Sequence, residues 1–189
     1  MGKVIVEQIV SIDGYAEDAG GGIGFFMDAR EINTADAEQL RMLGSVGAIV
    51  LGARTYRMFA DYWPQADPAT EPVAAPIRDL PKFVVSSTLE RAPWGADQEA
   101  TVLRGDGVAS VRDLRGRIDG DLVIWGSLTL GDALLQAGAV DVLRLRTVPQ
   151  VLGAGRSFAP VGTARRRWSL AQATAFDGGL VVLEYHAAG

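Results

Sequence analysis

Short apolar runs rich in β-branched residues alternate along this chain with helix-like spacings. That alternation restricts the fold more than any other feature. Val4 to Val10, Ala48 to Leu51, Lys82 to Ser86, Ala100 to Leu103 and Leu122 to Trp125 read as buried strands. Helices fit between them. Asn33-Thr34 offers an N-cap, with Asp36 in the first turn of a segment running to about Leu43. Arg54 to Phe59 suits a short helix, closed by Tyr62-Trp63-Pro64. Val108, Val111, Leu114 and Ile118 share one face of another helix, and Leu128 to Gln136 forms one more, stopped by Gly138. Gly20-Gly21-Gly22 makes a flexible loop. Gln65 to Leu80 carries Pro68, Pro72 and Pro76 and reads as an irregular connection.

Strands and helices in alternation need crossover connections. They predict a largely parallel sheet with helices on both faces. Val142 to Val148 places Arg144 and Arg146 between apolar residues, which predicts one polar face. Arg167 to Ala173 and Leu180 to Tyr185, joined through Asp177-Gly178-Gly179, predict an antiparallel hairpin at a sheet edge. Residues 1–189 suit one α/β domain.

Several chemistries are excluded by residue type. There is no cysteine, so thiolate nucleophiles, disulfides and cysteine-ligated metals are out. His186 is the single histidine and reads as a strand-end residue facing solvent, so a histidine triad and a multi-histidine metal site are out too. No metal site is expected. The net charge is −5, and the one dense basic run, Arg165-Arg166-Arg167, reads as a solvated turn, so no nucleic-acid partner is expected. No apolar run reaches membrane-spanning length, and Met-Gly-Lys leads straight into a strand. The expected location is cytoplasmic, with no membrane partner.

The chemistry concentrates at three strand-to-helix junctions: Leu51 to Tyr56, Val85 to Thr88, and Trp125 to Leu130. In a parallel sheet such turns lie at the carboxyl ends of the strands, where open α/β folds bind ligands. Small residues there let amides approach a phosphate, and the following helix start adds unpaired N–H donors. Thr55, Ser86, Ser87, Ser127 and Thr129 add hydroxyls, and Arg54 adds a cation. A single junction of this kind is usually just a helix cap; three spaced along one predicted sheet point toward a dinucleotide. Neither G-x-G-x-x-G nor a Walker-type loop is present.

Gly-Ala-Arg-Thr-Tyr at 52–56 resembles the Gly-Arg-x-Thr signature of dihydrofolate reductases, and Val-Ser-Ser at 85–87 their second phosphate-contacting strand end. Ile124-Trp125-Gly126-Ser127 occupies the place of their Gly-Gly cofactor turn. With Ser11-Ile12-Asp13-Gly14 early and Val148 to Gly155 late, the chain is similar to the reductase domain of riboflavin biosynthesis and its stand-alone bacterial members. The resemblance implies a three-layer α/β/α sandwich with a mixed, mostly parallel sheet of the dihydrofolate reductase-like type, a homodimer, and an NADPH cleft. It implies cofactor contacts from Gly52, Arg54, Thr55, Ser86, Ser87, Thr88, Gly126, Ser127, Leu128 and Thr129, with Ile9 and Val10 near the nicotinamide. Ala53 departs from the arginine that many relatives place after the glycine, which leaves NADPH against NADH open. The folate-binding Leu-Pro-Trp stretch and its acidic residue have no counterpart, so folate is not the expected substrate.

The expected reaction is hydride transfer from NADPH to a small heterocyclic, imine or carbonyl substrate, pyrimidine-like or pterin-like. The proton then comes from an acid other than Cys or His, or from water. Asp13 and Asp36 are the candidate donors. The structural alternatives are an Asx-turn for Asp13 and helix-start stabilisation for Asp36. Tyr15, Phe25, Phe26 and Trp63 are candidates to stack on the substrate, against plain packing as the alternative. Val142, Leu143, Leu145 and Val151, with the tail hairpin, are the candidate dimer contacts. Two readings outside catalysis use the same residues: a module that holds a nucleotide or ligand without turnover, and an interaction domain with an empty cleft.

Overall fold

Along the central strands side chains alternate between two apolar layers, so each strand needs helices above and below it. A computed structural model describes residues 2–27, 35–159 and 161–188. The strands are β1 (Val4–Val10), β2 (Tyr15–Asp18), β3 (Val46–Gly52), β4 (Lys82–Val85), β5 (Pro93–Trp94), β6 (Gln98–Glu99), β7 (Thr101–Leu103), β8 (Asp121–Trp125), β9 (Val142–Thr147), β10 (Gly155–Ser157), β11 (Trp168–Ala175) and β12 (Val181–Ala187). The helices are α1 (Gly24–Met27), α2 (Asp36–Leu43), α3 (Ala53–Tyr62), α4 (Ala74–Asp79), α5 (Gly107–Arg117) and α6 (Leu128–Gln136). Eight strands form one sheet in the order β11-β12-β9-β1-β8-β3-β4-β7. From β9 to β7 neighbouring strands run parallel, and β12 and β11 add the antiparallel edge.

Val4, Val6, Val50, Ile124 and Leu143 pack with α5 and α6 on one face. Ile5, Ile49, Leu51, Val123 and Val142 pack with α2, α3 and α4 on the other. Burying each such side chain stabilises the fold by roughly 1.5–3 kcal/mol. The result is the three-layer α/β/α sandwich expected, with its C-terminal hairpin. The helix expected to run to Leu43 starts at Asp36; its Asn33-Thr34 cap lies outside the described residues.

Four expectations need correction. The stretch from Gln65 to Leu80 is not irregular throughout: it opens in a 3-10 turn over Trp63–Gln65 and contains α4. Pro76 sits in the first turn of α4, where its missing N–H would have had no partner anyway. Two short antiparallel pairs, β2 with β10 and β5 with β6, went unread because they are too brief to show a period.

The supposed polar face of β9 is buried. Arg144 is 2% exposed, and its guanidinium meets three carboxylates. Nε donates to Glu7 Oε2 at 2.8 Å, Nη1 to Glu184 Oε2 at 2.7 Å, and Nη2 to Glu38 Oε1 at 2.8 Å. Glu7, Arg144 and Glu184 sit side by side on β1, β9 and β12, and Glu38 reaches down from α2. His186 Nε2 lies 2.8 Å from Glu184 Oε1, so the histidine is a half-buried partner in this cluster rather than a free strand end. Finally, Val142, Leu143 and Leu145 are core residues and cannot be dimer contacts, whereas Val151 is 69% exposed.

Burial pushes the Arg144 pKa down, but Glu7 and Glu38 outweigh it and hold the guanidinium charged. Burial likewise pushes Glu184 up, and the bonds from His186 and Arg144 outweigh it, leaving its carboxyl below the usual range. Such a depressed carboxyl contributes stability above its unfolded pKa and loses it as pH falls through the folded one. Arg144→Met strands three carboxylates and is expected to cost about 3–5 kcal/mol at neutral pH. Urea unfolding checks it. The deficit should shrink on acidification, because the stranded carboxylates then take up protons while the parent loses its own ion pairs.

Candidate functional site

The carboxyl ends of β3 and β8 lie side by side, and the turns that follow them lock together. Gly52 N–H donates to Ser127 Oγ at 2.7 Å, Ser127 Oγ donates to the Trp125 carbonyl at 2.9 Å, and Ser127 N–H donates to Thr55 Oγ1 at 2.9 Å. Gly126 has φ 52°, and a Cβ there would stand 3.2 Å from Thr55 Oγ1, so the close approach requires glycine. Ser127 is also left-handed, at φ 52° and ψ 48°. For a residue with a Cβ that conformation costs on the order of 1–3 kcal/mol and persists only where its surroundings hold it. Here the bonds to Thr55 and Gly52 do so.

Neither following helix has a side-chain cap: Gly52, at the N-cap of α3, has no side chain, and the Ser127 hydroxyl at the N-cap of α6 bonds instead to Gly52 N–H and the Trp125 carbonyl. By contrast, Asp106 caps α5, accepting from Ala109 N–H at 2.7 Å. The starts of α3 and α6 therefore present uncapped first-turn amides next to each other. That arrangement suits an anion. The turn after β4 adjoins them, since Val85 pairs with Gly52 across the sheet. Ser86 is buried and shapes that turn, its Oγ accepting from Thr88 N–H at 3.2 Å and Leu89 N–H at 3.0 Å. Ser87 and Thr88 are exposed.

Arg54 points elsewhere. Its Nη1 pairs with Glu17 Oε1 at 2.7 Å and its Nη2 with the Gly21 carbonyl, tying β2 and the glycine loop to the start of α3. Leu128 is buried in the core. Thr129 Oγ1 accepts from Arg156 Nη2 at 3.3 Å, and the same nitrogen pairs with Asp132 at 2.8 Å. Arg156 is thus a cation beside the first turn of α6 that the sequence reading missed; its one signal was its place just after Gly155.

At the other end of the site Ile9 and Val10 finish β1. Gln8 Nε2 donates to the Gly126 carbonyl at 2.5 Å, joining that strand to the turn. Glu7 Oε1 accepts from Trp125 Nε1 and from Gln39 Nε2, both at 2.8 Å. Gln39 Oε1 accepts from Arg146 Nη1 at 2.6 Å. The Trp125 ring lies 5.7 Å from Phe59, which stands 6.0 Å from Trp63, so Trp63 belongs to an aromatic row along α3. Burial pushes the Asp36 carboxyl above its usual value; nearby Arg146 opposes this and Glu71 adds to it. Glu7 and Gln39 escaped notice, and Arg146 was read only as part of a polar strand face, because their partners come from different elements.

Tyr15 sits on β2 opposite Ser157. Phe25 is 6% exposed and meets Phe26 edge-on at 6.1 Å, and both pack with Val148, Leu180 and Val182. Asp13 takes donors from Ser11 Oγ at 2.6 Å, Leu152 N–H at 3.1 Å and Gly153 N–H at 2.8 Å. The Ser11 hydroxyl above all, with those amides, lowers its pKa to about 2. A carboxylate so held has no proton to give near neutrality, which favours the turn-forming role for Asp13. Two surface cavities, of about 220 and 240 Å³, lie apart from the locked turns, one reaching from Lys3, Arg41 and Asp121 to the Glu38–Arg144–Glu184 cluster, the other around Leu135, Phe158 and Trp168.

The chain belongs to the RibD C-terminal domain family, whose model matches residues 2–182. It is 23% identical over 186 residues to the uncharacterized protein YyaP of Bacillus subtilis (strain 168), covering 97% of this chain and 94% of that one. Its fold is similar to that of a candidate riboflavin biosynthesis protein of Shewanella sp. PV-4, with TM-score 0.79 and 22% identity over 99% of both chains. It is also similar to Enterococcus faecalis dihydrofolate reductase in complex with NADP(H), with TM-score 0.64 and 14% identity over 100% of this chain and 98% of that one. The chain thus has a reductase-type fold. Among the described residues no helix is long and apolar enough to cross a membrane.

Thr55→Val leaves the Ser127 N–H without its partner and is expected to destabilise the protein by roughly 1–3 kcal/mol in urea unfolding. Asp13→Asn should speed hydrogen exchange at the Leu152 and Gly153 amides. The stabilisation that Asp13 provides is present above the ordinary Asp value of 3.8 and fades as pH falls toward about 2.

Proposed function

We propose that this protein is an NADPH-dependent reductase acting on a small heterocyclic, imine or carbonyl substrate. The observation that carries the reading is the pair of uncapped helix starts, α3 and α6, locked side by side through Gly52, Thr55 and Ser127. Family membership and the likeness to a dihydrofolate reductase complexed with NADP(H) support it. NADPH, when bound, supplies the hydride.

The first-turn amides of α3 and α6 would hold its diphosphate, and Thr55 and Ser127 keep those turns in register. Arg156 would add positive charge beside Thr129. Ser87 and Thr88 are the exposed hydroxyls suited to the adenosine phosphate. Ile9 and Val10 would back the nicotinamide. Asp36 is the proton donor of this reading, since burial favours its protonated form. The reading includes a homodimer in the cytoplasm. Its contact would use the unpaired edge of β11 with Leu170, 56% exposed, and Val151.

Titrating the protein with NADPH should give saturable nicotinamide fluorescence at micromolar concentrations. At a hundredfold excess over Kd the cofactor should raise stability by about 2.7 kcal/mol. No saturation and no stabilisation would sink the reading. Binding without oxidation across pterins, pyrimidines and carbonyl compounds would point to a binding module instead.

A further inference from the structure

Strand β9 carries two arginines on one face, two residues apart, and the fold treats them in opposite ways. Arg144 is saturated by three carboxylates and almost wholly buried. Arg146, nearer the carboxyl end of the sheet, gives one hydrogen bond, to the neutral Gln39 amide, and among the described residues makes no ion pair. The residue is only half-buried. Gln39 cannot turn away, because its Nε2 is held by the buried Glu7 carboxylate. Arg146 is therefore oriented, charged and largely uncommitted.

Its position is equally specific. Arg146 pairs across the sheet with Ile9, near the end of β1, which the reductase reading sets beside the nicotinamide. Asp36 is one helical turn from Gln39 and lies within electrostatic reach of Arg146 without forming an ion pair with it. Asp36 of α2 and Arg146 of β9 are thus near neighbours, and Arg146 opposes the rise that burial gives the Asp36 carboxyl.

We propose that Arg146 is a catalytic residue that selects a carbonyl over an imine, donating to the substrate oxygen as negative charge develops there. The proposal rests on the reductase reading. A carbonyl oxygen gains charge as hydride arrives, and a fixed cation stabilises that change. An imine is reduced as its protonated, cationic form, which Arg146 repels. In the balanced step the carbonyl carbon receives hydride from NADPH, which is oxidised to NADP+. The C=O π pair moves onto oxygen, and that oxygen takes a proton from Asp36, which water then reprotonates.

Benzoate stands in for the developing oxyanion and benzamidine for a protonated imine. Calorimetric titration of each, into free protein and into protein saturated with NADP+, tests the proposal without knowing the substrate. Benzoate should bind at least about tenfold tighter than benzamidine, and Arg146→Met should remove that preference while leaving NADP+ affinity unchanged. Gln39→Leu, which leaves the arginine in place but unoriented, should weaken benzoate severalfold and serves if Arg146→Met does not fold. Equal or inverted preference in the parent, or an unchanged preference in both variants, overturns the proposal. An intact benzoate preference without NADP+ binding strikes the reductase reading instead.

Discussion

The Glu7 carboxylate, 4% exposed in the middle of a parallel sheet, is the point through which the parts of this protein are joined. One oxygen receives Arg144 and so reaches β9, β12 and α2. The other receives Trp125 and Gln39, which belong to the two halves of the site. A carboxylate in such a place is tolerated only because charged and neutral donors surround it. Replacing one of those donors disturbs the orientation of the others. The indole that begins the Trp-Gly-Ser turn and the amide that aims Arg146 are fixed by the same atom.

The locked turns add a second constraint. Gly126 and Ser127 take consecutive left-handed conformations, and the hydroxyls of Ser127 and Thr55 bond across to the neighbouring turn. The Ser127 hydroxyl is then absent from the start of α6, and Gly52 brings none to the start of α3. Elsewhere in the same fold Asp106 shows the ordinary solution, a side chain that caps α5. Leaving the two helix starts uncapped forgoes roughly 1 kcal/mol at Ser127 and about a few tenths of a kcal/mol at Gly52. In exchange, two sets of donors stand unpaired side by side, an arrangement that suits an anion.

The sheet, its helices and the three junctions were legible because burial on two faces leaves a periodic record. Val4 to Val10 and Leu128 to Gln136 match their elements residue for residue. What failed has one physical origin: a period reports which face a residue points to, not what waits there. Arg144 alternates with leucines as a solvent-facing arginine would, yet three carboxylates from distant segments enclose it. Val142, Leu143 and Leu145 looked available for a partner because α2, α6 and the hairpin that cover them come from elsewhere in the chain. The Asp-Gly of residues 13–14 reads alike as an acid or a turn. The amides that decide between them lie at Leu152 and Gly153.

The contrast between Arg144 and Arg146 also bears on why a charged cluster stands where apolar residues would fit. Well-packed hydrophobic groups commonly match or exceed the stability of a buried ion network. Stability alone is therefore a weak reason for four charged side chains at the junction of β1, β9, β12 and α2. Orientation is a stronger one. An apolar core around position 7 would leave the Gln39 amide free to rotate and to present its NH2 to Arg146, which that cation would reject. With the Glu7 side chain accepting from its Nε2, Gln39 has one satisfactory orientation, and Arg146 inherits it. On this argument the buried charges act on the site through geometry, two hydrogen bonds away from the place where a substrate would sit.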